Sequence, residues 1–283
     1  MKKIDIHVHY PMGASEHISG EFKEYLMNQG ISRAVLLSAG EHTGQFSLKG
    51  SNDEVAKIAN ADPAFFSWMC NIDPEVPGSV YDRLVYWKER GAVGIGELVI
   101  NRWLDDDLLQ QIFAAAEKLA LPVTLHMSPR PGFSYGVCDS PGLPLLEAVL
   151  QTFPNLIVVG HSQLFWLEIS GDCPREGDAM RNGYGSGPVM PGGAVPRLLE
   201  QYSNLYCDLS ANSGSRAIMR DEIFGLNFLE KYQDRLMFAT DSFDCHKKFP
   251  LGDFLDSCLA DGRISVRAYN KICWENAQRI YGL

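Results

Sequence analysis

His7 and His9 form a His-x-His pair inside the apolar opening KIDIHVH. His126 closes the run PVTLHM, and His161 closes LIVVGH. Two carboxylates end similar runs, Glu97 in AVGIGEL and Asp241 in LMFATD. Neutral imidazole and carboxylate together suit zinc, manganese or iron, whereas a calcium site would offer more oxygens and fewer nitrogens. Three or four protein ligands with one open position make a catalytic rather than a structural site. The chain has only 7 histidines, and 4 of them finish apolar runs.

Those runs must be elements that bring the residues together. The strands are read as Lys3–His9, Arg33–Ala39, Phe66–Ile72, Ala92–Leu98, Pro122–Met127, Leu156–His161, Leu205–Ala211 and Leu236–Asp241. Most are continuously apolar rather than alternating, as parallel strands covered on both faces are. Stretches with apolar spacing of three and four lie between them, at Glu54–Asn60, Val76–Arg90, Asp106–Ala120 and Leu143–Phe153. Val195–Tyr202, Arg220–Tyr232 and Phe254–Leu259 are weaker helices, and Val266–Tyr281 reads as a closing one. Asp105 is the expected N-cap of the helix after the fourth strand, and Gly91 the C′ glycine of the helix before it. Eight strands alternating with helices predict an α/β fold, a single (β/α)8 TIM barrel over residues 1–283. In such a barrel the six polar residues gather at the C-terminal ends of the strands, where the chemistry of this fold takes place. His7 and His9 are two apart on one strand and so point the same way. Gln163–Gly193, rich in Gly and Pro, reads as a long loop overhanging that face.

Composition narrows the partners. The formal net charge is −10 and the pI about 5.2, which argues against a nucleic acid or an anionic membrane surface. A small-molecule substrate is expected, and self-association into a homo-oligomer is left open. The 7 cysteines are scattered without a CxxC pair, so they read as reduced thiols of a cytoplasmic protein rather than as zinc ligands. Cys70 and Cys207 fall in strand-like runs, where cysteine acts as a small hydrophobe. The start MKKIDIHVHY lacks an apolar targeting segment, and no apolar run approaches membrane-spanning length.

Taken in order, DIHVH, PVTLHM, PNLIVVGHS, NLYCDLSA, FATDSF and KICWENAQRIYGL make the chain resemble the amidohydrolase superfamily along essentially its whole length. The closer resemblance is to the amidohydrolase-2 branch, which includes aminocarboxymuconate-semialdehyde decarboxylase. That resemblance implies His7, His9, His126 and Asp241 as metal ligands. It implies His161 as a catalytic histidine in one-metal members, or as a ligand of a second metal. Glu97 departs from many one-metal members and matches the position where two-metal members place a bridging carboxylate. The GIGE run is also similar to TatD-type nucleases, whose substrate the acidic chain disfavours. One or two divalent ions follow, zinc first, with manganese or iron as alternatives.

The expected chemistry is hydrolysis of a small-molecule amide, lactone or ester. A bound ion lowers the pKa of water, Asp241 moves its proton, and His161 polarises the carbonyl. A non-oxidative decarboxylase or hydratase on the same scaffold is the alternative. A metal- or ligand-binding protein without turnover is disfavoured, because Asp241 and His161 are both kept beside the ligands. Arg130, Arg216 and Arg181 are candidates for gripping a substrate carboxylate, and Trp166, just after His161, for walling the pocket. His17, His42 and His246 read as surface or rim residues.

Overall fold

The computed structural model describes residues 2–10, 18–41 and 50–283. Eight parallel strands pair in chain order: β1 Lys3–Val8, β2 Ile31–Leu37, β3 Phe66–Cys70, β4 Ala92–Leu98, β5 Val123–Ser128, β6 Val158–His161, β7 Leu205–Asp208 and β8 Leu236–Met237. A further two-residue strand, Val137–Cys138, lies outside this order against β5. The expected barrel and its strand order are present, and the core explains both. Outward residues such as Leu36, Trp68, Leu125 and Val158 meet the surrounding helices in one large buried cluster. Ile4, Ile6, Val35, Leu37, Met69, Val159, Tyr206 and Met237 form a second cluster, which Ala277 and Tyr281 of the closing helix complete. Gly94 on β4 leaves the space that the Met69 methyl fills, since a Cβ there would lie 2.8 Å from it.

The barrel closes between β8 and β1 through only a few bonds. Ile6 N donates to Phe238 O at 3.3 Å, Asp241 N to His7 O at 2.8 Å and His9 N to Ser242 O at 2.8 Å. The eighth strand was expected to run to Asp241 but ends at Met237. The physical reason lies in Asp5, fully buried on β1. Its carboxylate accepts from Thr240 N at 3.0 Å and Thr240 Oγ1 at 2.6 Å, so a side chain replaces the ladder there. From the other side, Asn276 Nδ2 donates to Leu236 O at 2.9 Å. A single π-turn, Lys271–Glu275, interrupts the closing helix, and Ile272 O within it accepts from Phe238 N at 2.8 Å.

Local chemistry sets the helix ends. Ser51 and Glu54 make a reciprocal capping box on Asn52–Ala61. The helix Asp107–Leu119 is capped by Asp106, whose side chain accepts from Leu108 N, not by Asp105 as expected. Gly91 sits at φ +95° where a C′ glycine belongs. Gln163–Gly193 is not one continuous loop, because Ser162–Leu167 forms a buried helix and Asp178–Arg181 a short one. The expected Arg220–Tyr232 helix is Glu222–Lys231, preceded by a separate helix Ala211–Met219. Cys70 and Cys207 are fully buried strand residues. No helix among the described residues is long and apolar enough to cross a membrane.

Gly160, beside His161 on β6, is backed by Phe165, and a Cβ there would lie 2.3 Å from that ring. Gly160→Ala is therefore expected to destabilise the protein by about 1–3 kcal/mol through overpacking. Equilibrium urea unfolding checks this, and a variant as stable as the parent would refute the packing argument.

Candidate metal centre

The six polar strand ends converge. His7 and His9 reach inward from β1, with His7 Nε2 3.1 Å from His9 Nε2. Asp241, just across the barrel seam, places Oδ1 3.3 Å from His9 Nε2 and 3.5 Å from His7 Nε2. Strand register sets His126 of β5 directly opposite His161 of β6. Glu97 of β4 lies between the two pairs, with Oε1 2.6 Å from His126 Nδ1 and 3.4 Å from His161 Nε2. Its Oε2 lies 3.7 Å from His9 Nε2 and 3.9 Å from His7 Nε2. Three sets hold their ligand atoms within 4.8 Å of one another: His7 with His9 and Glu97, Glu97 with His126 and His161, and His7 with His161 and Asp241.

The electrostatics follow from burial and mutual charge. Burial pushes His7 down, but the Asp208, Asp241 and Glu97 carboxylates outweigh it and raise its pKa to about 10. Burial pushes Glu97 up, and the neighbouring His126, His7 and His161 hold it well below the usual carboxylate range. Asp241 is held low in the same way against burial, by His7 and His9. His161, fully enclosed and beside the His7 charge, is pushed down. The field that keeps a proton on His7 is the field a divalent cation would meet, and nitrogen and carboxylate donors converging in this way fit such an ion. Backbone strain gathers here too. Ser162, Ala211 and Asp241 have φ of 92°, 57° and 59°, and each directly follows or ends one of the last three inward runs. Non-glycine residues in this region persist only where their surroundings hold them, often at functional sites.

Two supporting residues were missed in the sequence. Asp208 ends β7, fully buried, and its Oδ2 accepts from His7 Nδ1 at 2.6 Å. Ser210 Oγ lies 2.9 Å from His161 Nδ1. The signal available was a polar residue ending the seventh apolar run, as in the other runs. Tyr135 stacks on His126 with ring centroids 4.2 Å apart. Burial first, then the charges of Glu97 and Asp241, push its hydroxyl up to about 12.

The candidate substrate residues lie farther out. Arg130 is exposed, with Nε 2.5 Å from Asp178 Oδ2. Arg216 is exposed, its guanidinium 5.4 Å from the Tyr184 ring centre. Trp166 is 2% exposed, and its Nε1 donates to Asp208 O at 2.9 Å. Arg181 is buried and donates to the Pro129 and Asp139 carbonyls, so it ties the 163–193 segment to the chain after β5. His246 is exposed, whereas His17 and His42 lie outside the described residues.

A closed parallel barrel with a histidine–carboxylate ring at its strand ends defines a class of metal-dependent enzymes. The chain belongs to the amidohydrolase family, in its amidohydrolase-2 branch, with residues 4–283 matched. This family is metal-dependent. No curated protein matches the chain. Among solved structures it is similar to an uncharacterized TIM-barrel protein from Bordetella bronchiseptica, at 18% identity and TM-score 0.65, covering 100% of this chain and 99% of the other. A 5-carboxyvanillate decarboxylase from Novosphingobium aromaticivorans, complexed with manganese and 4-hydroxy-3-methoxy-5-nitrobenzoic acid, is similar at 16% identity and TM-score 0.64, covering 99% and 96%. A probable 2-pyrone-4,6-dicarboxylic acid hydrolase from Acinetobacter baumannii with citric acid bound is similar at 14% identity and TM-score 0.57, covering 100% of each chain.

Gly136 presses on the centre from outside. A Cβ there would lie 2.7 Å from His126 O and 2.9 Å from its Cδ2, at a φ of +110°. Gly136→Ala is expected to cost about 1–3 kcal/mol and to shift the His126 ring. Urea unfolding and the histidine ring signals in an NMR spectrum check both, and unchanged values would refute the close approach.

Proposed function

We propose that the chain is a metal-dependent hydrolase of a small-molecule amide, lactone or ester, with ions held by His7, His9, Glu97, His126, His161 and Asp241. The observation that carries this reading is the division of Glu97, whose Oε1 faces His126 and His161 while Oε2 faces His7 and His9. A carboxylate shared in this way suits a bridge between two ions. Divalent ions here, zinc or manganese before iron, supply Lewis acidity and an acidified water.

The chain's own residues do the rest. Asp241 is held ionised, so it accepts a proton from water and returns it to the leaving oxygen or nitrogen. His161 belongs to the second ligand set when two ions bind. With one ion, its Nε2 is free to polarise the substrate carbonyl. The buried floor beneath the ring, from Ile6 to Met237, keeps solvent from reaching it from below. Arg130 and Arg216 are the substrate-facing cations of this reading, and Trp166 backs the His161 side.

The competing reading, a non-oxidative decarboxylase, draws on fold neighbours that act on aromatic acids. The test begins with metal analysis of the purified protein, where two ions per chain are expected and Glu97→Gln should leave one. A panel of lactones, amides, esters and aromatic acids follows. Hydrolysis is expected, with Asp241→Asn lowering turnover by about 10²–10⁴-fold. Carbon dioxide release from the aromatic acids would replace the hydrolase reading with the decarboxylase one. A protein without bound transition metal would overturn both.

A further inference from the structure

We infer that Asp208 is a shared positioning residue, one carboxylate that aims the metal-facing nitrogens of both His7 and His161. The inference rests on the metal centre proposed above and adds to it a residue that binds no ion itself. The two histidines stand on β1 and β6, and Asp208 on β7 is the only described carboxylate in ion-pair contact with the Nδ1 atoms of both. Its Oδ2 lies 2.6 Å from His7 Nδ1 and 3.4 Å from His161 Nδ1. Its Oδ1 accepts from Ser210 N at 2.8 Å, which fixes the carboxylate plane. Ser210 Oγ, 2.9 Å from His161 Nδ1, offers that nitrogen a second acceptor.

Donor and acceptor counting gives the consequence. An ionised carboxylate only accepts, so the nitrogen facing it must carry hydrogen. In each neutral ring the hydrogen then sits on Nδ1 and the lone pair on Nε2. Those Nε2 atoms are the ones that face Glu97, at 3.9 Å from His7 and 3.4 Å from His161. Fixing the tautomer of a ligand histidine through its other nitrogen is what such outer carboxylates do. Here one carboxylate serves two rings, and those rings fall in different ligand sets, His7 with His9 and His161 with His126. Removing a single ligand should weaken one ion, whereas disturbing Asp208 should weaken both.

Asp208→Asn tests this with little change in volume. Its amide N–H₂ would demand a lone pair from an Nδ1, moving the hydrogen to the face that should bind metal. Chelator competition followed by metal counting is expected to show both ions held about 10–100-fold more weakly than in the parent. His161→Asn should weaken one ion alone. An Asp208→Asn protein that keeps parental affinity, or that loses one ion only, would overturn the shared role. If the variant fails to fold, the zinc-loaded parent decides. Its ¹⁵N histidine spectra should show hydrogen on Nδ1 of both His7 and His161, and hydrogen on either Nε2 refutes the inference. A parent that binds no divalent ion at all would remove the metal reading. The histidine spectra of that metal-free protein would still judge Asp208, which fails if Asp208→Asn moves neither ring's signals.

Discussion

Negative charge has been buried at the mouth of this barrel, and it must be answered there. Glu97, Asp208 and Asp241 converge on His7, His9, His126 and His161 in a space largely closed to water. Isolated carboxylates in such a place would cost several kcal/mol each. Protons on the histidines or cations between them are the available remedies, and both use the same nitrogen atoms. The raised pKa of His7 is the proton form of that remedy. The rest of the architecture delivers these charges to one level, since each comes from a different strand end or from the turn just beyond it.

Much of this was legible in the residues. Continuous apolar runs reported doubly covered strands, and the polar residue ending each run reported the centre. Pairs such as Gly94 and Met69, where one strand omits the side chain that the next one supplies, are invisible to periodicity. The eighth strand was overread because Phe238–Asp241 is apolar enough for a ladder. Its hydrogen bonds go instead to Asp5, more than two hundred residues away in sequence. Asp208 escaped because an aspartate before Leu-Ser reads as a turn or a cap, and only the barrel sets it beside His7. The Leu164–Leu167 run was taken for loop because glycine and proline crowd the sequence that follows it.

The placement of charge also explains which outer residues matter to the centre. Trp166 was expected in the pocket wall, yet its indole nitrogen is committed to the Asp208 carbonyl. Arg181 was a candidate for gripping an anion, yet it is bound to two backbone carbonyls. Both brace the chain around the ring. Arg216, exposed beside Tyr184, keeps a face toward solvent.

The π-turn near the end of the chain reaches further than its position suggests. One extra residue in that turn frees Ile272 O from the helical ladder and presents it to Phe238 N. Phe238 stands three residues before Asp241, on the side of the barrel that the ladder leaves thinly joined. The last helix therefore acts as a clasp, setting the height of Asp241 against His7 and His9. The two ends of the polypeptide, brought side by side, hold the centre from below.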